Sequence, residues 1–123
     1  MKTIDLNCDL GEGAAQDVAL MGLITSANIA CGGHAGDRDS MREAIKQARS
    51  HGVAVGAHPG YTDRENFGRR ELSLTAGEIF EMVRAQIESL QSVAGELGVR
   101  MTHVKPHGAL YNQAAKNREI ANA

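Results

Sequence analysis

The chain's reactive side chains fall in short, separated groups: Asp9 with Glu12, His34 with Asp37, then His58, then Lys105 and His107 with Tyr111 just beyond. Imidazoles and carboxylates drawn from distant parts of a chain can hold a divalent metal, which polarises a carbonyl and acidifies water. The same set can act without metal as a general acid and base, because histidine is poised near neutral pH. No pair has the local spacing of a zinc finger or of His-Glu-x-x-His, so spacing leaves both chemistries open. Taken singly, each of His34, His58 and His107 has an ordinary account in which the ring holds loop backbone. Three of them in equivalent positions argue for a shared site. His51 suits a helix C-terminus, where its partial charge complements the dipole, and His103 lies deeper on the strand face of Lys105, as packing or as support for the site.

Asp5 and Asn7 alternate with Ile4 and Leu6 and line one face of a strand. Inward polar groups are costly unless they meet a ligand or one another, and ligand contact is the expectation. Lys105 beside Pro106 is placed to meet a carboxylate or phosphate, the alternative being an ion pair with Asp5 or Asp9. Arg69 and Arg70 are either a solvated loop pair or a clamp for an anionic substrate. The glycines of Cys31-Gly32-Gly33-His34-Ala35-Gly36 match neither the P-loop nor the dinucleotide fingerprint, so nucleotide binding is not inferred from them.

The elements that must position these groups follow from periodicity. Ile4 to Cys8 alternates as a strand and ends in the turn Asp9-Leu10-Gly11-Glu12-Gly13; Asp17 caps a short helix through Met21; Ile24 to Ala30 is a second strand. Asp37 is an N-cap, and Met41, Ala44, Ile45 and Ala48 make one apolar face of a helix that Gly52 stops. Val53 to Ala57 is a buried strand running into His58-Pro59-Gly60. Tyr61 to Glu71 is a charged surface loop. Thr75 and Glu78 form a capping box, with Leu74 and Ile79 as a staple, for a helix whose apolar face runs to Leu97 before Gly98. Val99 to Lys105 is the fourth strand, and a further helix begins at Ala114. Alternating strands and helices imply right-handed crossovers and a parallel sheet, with ligands bound at the carboxyl ends of its strands. Asp9 and Glu12, His34 and Asp37, His58, and Lys105 and His107 each fall at such an end.

The bulk properties agree with one α/β domain: 123 residues, 42% hydrophobic, net charge −2 and a pI near 6.2. No run of lysine or arginine offers a footprint for nucleic acid or an anionic membrane, so the partner is expected to be small. The first residues lack the apolar core of a signal peptide and no later run spans a bilayer, so a cytoplasmic location is expected, with Cys8 and Cys31 as packed thiols.

Asp5-Leu6-Asn7-Cys8-Asp9-Leu10-Gly11-Glu12, Thr25-Ser26-Ala27-Asn28-Ile29-Ala30-Cys31-Gly32, His34-Ala35-Gly36-Asp37, Gly56-Ala57-His58-Pro59-Gly60, Phe67-Gly68-Arg69-Arg70 and Val104 to Tyr111 together resemble the signatures of the LamB/YcsF family, in family order. Gly33 stands where that family usually has phenylalanine, and the segment Gly13 to Asp17 is shorter than its loop. The resemblance implies ATP-dependent opening of the 5-oxoproline lactam to glutamate, in a complex with the B and C subunits of bacterial 5-oxoprolinase. It also implies a parallel (β/α) barrel of the glycoside hydrolase and deacetylase type, in which Asp9, His58 and His107 occupy positions like the deacetylase metal triad. With Lys105 these three make the expected catalytic set. Asp5, Asn7, Glu12, Asn28, His34, Asp37, Arg69, Arg70 and Tyr111 make the expected substrate contacts.

Four strands are about half such a barrel. Its open edges are expected to be covered by further chain or by a second copy. Two other functions fit the same residues: a metal-dependent amide hydrolase or carbohydrate deacetylase, and a non-catalytic binding or assembly module.

Overall fold

A computed structural model describes residues 1–123. The order of elements is β1 (Asn7–Leu10), α1 (Asp17–Met21), β2 (Ser26–Ala30), α2 (Arg38–His51), β3 (Ala54–His58), α3 (Ala76–Glu96), β4 (Met101–Val104), α4 (Gly108–Lys116) and α5 (Arg118–Asn122). The strands form one four-stranded sheet in the order β1-β2-β3-β4, and every neighbouring pair is parallel. The α/β class and the parallel sheet are as the alternating pattern requires. No helix is long and apolar enough to cross a membrane.

The sheet has two chemically different faces, because successive side chains of a strand point to opposite sides. One face carries Leu10, Ala27, Ile29, Val55 and Ala57, which pack with Met41, Ile45 and Ala48 of α2 and Leu90, Val93 and Ala94 of α3 into the main core. Ile45 and Leu90 are fully buried, each burial contributing about 1.5–3 kcal/mol. The other face is polar. Register places Asp9, Asn28, Gly56 and His103 side by side across all the strands.

The long helices start and stop where local chemistry dictates. Asp37 accepts a hydrogen bond from the Ser40 amide (2.8 Å) in a reciprocal capping box, and Gly52 closes α2 in the left-handed region at φ 69°. Thr75 and Glu78 do the same for α3, with Ile79 buried and Leu74 packed against the same small cluster.

Several boundaries differ from the expectation, β2 beginning at Ser26 and β3 running Ala54–His58 among them, and four have a visible cause. β1 begins at Asn7 rather than Ile4, because the Leu6 amide bonds the Thr25 hydroxyl (2.8 Å) instead of entering the ladder. β4 likewise begins at Met101, not Val99, whose amide returns to the carbonyl of Ala94. Asp17 is the first residue of α1, not its cap, and its carboxylate takes the Gly11 amide (2.8 Å). The helix expected from Ala114 starts at Gly108 as α4 and is followed from Arg118 by a separate α5. Ala109 and Leu110 are buried beside Tyr61 and Ile79, and that apolar anchor pulls the chain into helix directly after His107.

Candidate functional site

The carboxyl ends of the strands bring Asp9, Glu12, His34, His58, Lys105 and His107 to one point. His34 stacks face to face on His107 with centroids 3.6 Å apart and planes 7° from parallel. His58 stands edge-on to both, at 5.3 Å and 4.8 Å. All three rings are buried, while Glu12 and Asp9 are partly open.

Backbone carbonyls decide which nitrogens carry protons. His58 Nδ1 lies 2.6 Å from the carbonyl of Lys105, and His107 Nε2 lies 2.9 Å from that of Phe67. A carbonyl only accepts, so both nitrogens are N–H donors. In the neutral rings His58 Nε2 and His107 Nδ1 are therefore lone pairs, and they face each other at 3.0 Å. Glu12 Oε1 is 3.6 Å from the first and 3.5 Å from the second, and Asp9 Oδ2 is 3.2 Å from His58 Nε2. Acceptors that converge this way need a cation or a shared proton between them.

Charge runs in the same direction. Burial alone would raise the Asp9 carboxyl, but the His58 ring beside it and the hydrogen bonds donated by Lys105 and Asn28 outweigh it and hold the group well below the usual range. Burial would likewise raise Glu12, and the hydrogen bond donated by His34, with the other histidine rings acting the same way, pulls it down. Burial pushes His107 below its ordinary value. These environments favour ionised carboxylates beside a neutral imidazole, the donor forms a divalent metal takes.

Glu12, His34, His58 and His107 each offer one ligand atom, and these atoms lie within 4.8 Å of one another. The resemblance instead points to Asp9, His58 and His107. The two histidines are common to both sets. Asp9 stands beside the cluster with both oxygens bound by Lys105 Nζ, at 2.9 and 2.8 Å. That pairing is the ion pair named as the alternative for Lys105.

Below the cluster, Asn28 is completely buried and donates to Asp9 Oδ1 (2.8 Å), while its carbonyl accepts from His103 Nε2 (2.8 Å). His103 thus supports the site, and it can do so because Gly56 has no side chain: a Cβ there would overlap its ring. Asn7 bonds Ser26 and Asn28, and Asp5 accepts from the hydroxyls of Thr25 and Ser26. These two face protein partners toward the opposite end of the strands from the histidines. Asp37 is engaged as the cap of α2, on the rim of a cavity that Glu12 and His34 also line. Arg69 and Tyr111 line a separate cleft with Asp9, Lys105 and His107, and Arg70 is exposed and lines neither.

Two contributors escaped the sequence reading. Phe67 has φ 54°, a strained conformation for a residue with a side chain, and its carbonyl fixes the His107 tautomer while its ring meets His34 and His107 edge-on at 5.2 Å. Nothing in local sequence signals that. Gln86 is buried on α3 and holds both backbone groups of Gly60, with N–H donated at 2.8 Å and amide accepted at 3.1 Å. Its signal was available: it occupies an apolar-face position between Ile79 and Leu90. Gly33 belongs to the same contact, since a Cβ there would come within 2.6 Å of the Gly60 carbonyl.

Known proteins resemble this chain in sequence and fold. The profile of the LamB/YcsF family matches residues 4–123. Proteins described as the A subunit of 5-oxoprolinase, from Neisseria meningitidis serogroup C (strain 053442) and serogroup A / serotype 4A (strain DSM 15465 / Z2491), are each 52% identical over 122 residues, covering 99% of this chain and 50% of theirs. The crystal structure of the lactam utilization protein from Thermus thermophilus superposes with a TM-score of 0.95 at 44% identity, over 98% of this chain and 51% of that one. The chain thus spans about half the length of the relatives it matches.

Proposed function

The chain belongs to the LamB/YcsF family, and from that premise we propose that its strand-end cluster takes part in opening the amide ring of 5-oxoproline to glutamate. The relatives' names support a role in 5-oxoproline or lactam metabolism. The observation that carries the chemistry is the convergence of His58 Nε2, His107 Nδ1 and the Glu12 carboxylate on one point.

The reaction adds water across the amide. Its oxygen bonds the ring carbonyl carbon, the ring C–N bond breaks, and the nitrogen leaves as an amine after gaining a proton, giving glutamate. Glu12, His34, His58 and His107 would hold a divalent metal, whose contribution is Lewis acidity toward the carbonyl. Asp9, fixed by Lys105 and Asn28, presents an ionised carboxylate beside His58, where it balances the charge, while the Lys105 carbonyl orients the imidazole. Asp9, His58, Lys105 and His107 are the residues we assign to the chemistry. The relatives' designation as an A subunit implies further subunits; that these are B and C subunits, and that the assembled complex consumes ATP, belong to the same proposal. So does the barrel: the four parallel strands are read as part of a (β/α) barrel whose remaining strands pair with the edges β1 and β4.

Glutamate release from 5-oxoproline with ATP, measured with and without the partner subunits, tests this reading. Release is expected with the partners and is expected to vanish in His107→Ala; undiminished release by that variant would overturn the site.

A further inference from the structure

Beside the acceptor-rich cluster lies its chemical opposite. A cleft of about 400 Å³ is lined by Asp9, Arg69, Lys105, His107, Tyr111 and Asn112 among others. Its donors are largely uncommitted. Lys105 carries three N–H donors and its ion pair with Asp9 uses two. The Arg69 guanidinium carries five and makes no ion pair, although Arg38, Arg42 and Arg84 all do. Two cations against the Asp9 carboxylate leave the lining with an excess of one positive charge.

Arg69 is exposed, yet its backbone is fixed. The Phe67 carbonyl accepts from His107, the Gly68 amide bonds the Asp63 carbonyl (2.8 Å), the Gly68 carbonyl accepts from the Ala109 amide (3.0 Å), and the Arg69 amide bonds the Asn66 carbonyl (3.0 Å). Gly68 fits only as glycine, at φ 62° with a Cβ that would come within 2.7 Å of His34. The guanidinium then lies over the Phe67 ring, 5.2 Å from its centroid, a stacking that steers the planar fork without using its donors. A loop strained at Phe67 and anchored on a cluster histidine thus delivers an unpaired arginine to the cleft next to that histidine.

We infer that this cleft is a carboxylate subsite, which selects ring amides bearing an acidic group and sets their carbonyl toward the histidine cluster. Arg69 supplies a two-pronged contact, with the free Lys105 donor, the Tyr111 hydroxyl and the Asn112 amide around it. Identifying the ligand as a ring amide rests on the function proposed for the histidine cluster; the anion preference rests on the cleft alone.

Calorimetric or NMR titration of this chain with 5-oxoproline, 2-pyrrolidinone and acetate separates the two. 5-Oxoproline is expected to bind at least about tenfold tighter than 2-pyrrolidinone, which lacks the carboxylate. Arg69→Met is expected to abolish that preference and Arg69→Lys to keep part of it, whereas Lys46→Met on α2 leaves it intact. Equal binding of the two ring amides by the unsubstituted chain would overturn the subsite while leaving the lactam reading standing. Arg69-dependent binding of acetate without binding of either ring amide would uphold the subsite and count against the lactam reading. Failure of every carboxylate to bind, or a preference that survives in Arg69→Met, overturns the subsite.

Discussion

Two polar regions share one face of the sheet, and they differ in whether their hydrogen bonds close. Across the middle, Thr102 donates to His103 Nδ1 (2.7 Å), His103 to Asn28, Asn28 to Asp9 and Asn7, Asn7 to Ser26, and Ser26 to Asp5. Each donor meets an acceptor, and Gly56 leaves the room for the imidazole that starts the chain. At the strand ends above it, two imidazole lone pairs face each other with carboxylates around them, and His34 Nδ1 is buried with no hydrogen-bond partner. Buried polar groups in native proteins are ordinarily paired. A closed network is explained by the fold that contains it, whereas an open one next to a strained residue points to a ligand-binding role.

The largest difference between the regions should appear in metal binding. His58→Ala removes a converging nitrogen and is expected to lower zinc or manganese affinity by at least about 100-fold, the upper end of what losing a group that merely supports a ligand costs. Ser26→Ala, inside the closed network, should leave that affinity nearly unchanged. It should instead lower stability by about 1–3 kcal/mol, because Asp5 and Asn7 each lose a partner. Equilibrium dialysis and urea unfolding on the two variants measure both quantities; equal loss of metal in both would erase the distinction.

A finer cut is available at Gly56. A Cβ there overlaps the His103 ring, so Gly56→Ala should cost about 1–3 kcal/mol as an overpacked site. With His103→Ala in the background the same substitution should cost clearly less, since the obstructing ring is gone. The double-mutant cycle isolates that contact. An additive cycle would mean that Gly56 serves something other than making room for His103.

How much of this was legible in the sequence divides along the same line. The helices were readable because capping is local: Asp37 with Ser40, and Thr75 with Glu78, lie a few residues apart and act on their own backbone. The ring of polar strand ends was readable because a parallel sheet puts all its carboxyl ends on one side. What the sequence left open was which residues pair between strands. Asp5 and Asn7 gave no sign that Thr25, Ser26 and Asn28 would satisfy them, because those partners are set by register across the ladder. The grouping of Glu12 with His34, His58 and His107 was hidden for the same reason. Asp9 and Glu12 are equally acidic in the sequence, and only the position of Lys105 across the sheet ties up the first. The early start of α4 followed from burial of Leu110 against Tyr61, a contact between distant segments.

The capping box of α3 supplies the smallest effect and a control on the whole comparison, because it is a closed network far from the cluster in kind. Thr75 accepts from the Glu78 amide, and the Glu78 carboxylate accepts from the Thr75 amide (2.8 Å) and hydroxyl (2.9 Å). Thr75→Ala should cost about 1 kcal/mol. Glu78 adds a pH dependence whose sign follows from its environment. The Thr75 backbone bond, with the hydroxyl bond behind it, holds the folded-state pKa below the ordinary 4.5. A depressed carboxyl stabilises the fold fully above its unfolded value and loses that contribution as pH falls through the folded value. Thermal unfolding of the unsubstituted chain and Glu78→Gln should therefore differ most near about pH 6 and converge toward about pH 3. Metal affinity should not distinguish the two proteins at neutral pH. If Glu78→Gln did weaken metal binding there, closed and open networks would be coupled through α3, where Gln86 holds Gly60 beneath His34, and the division between them would have to be redrawn at that helix.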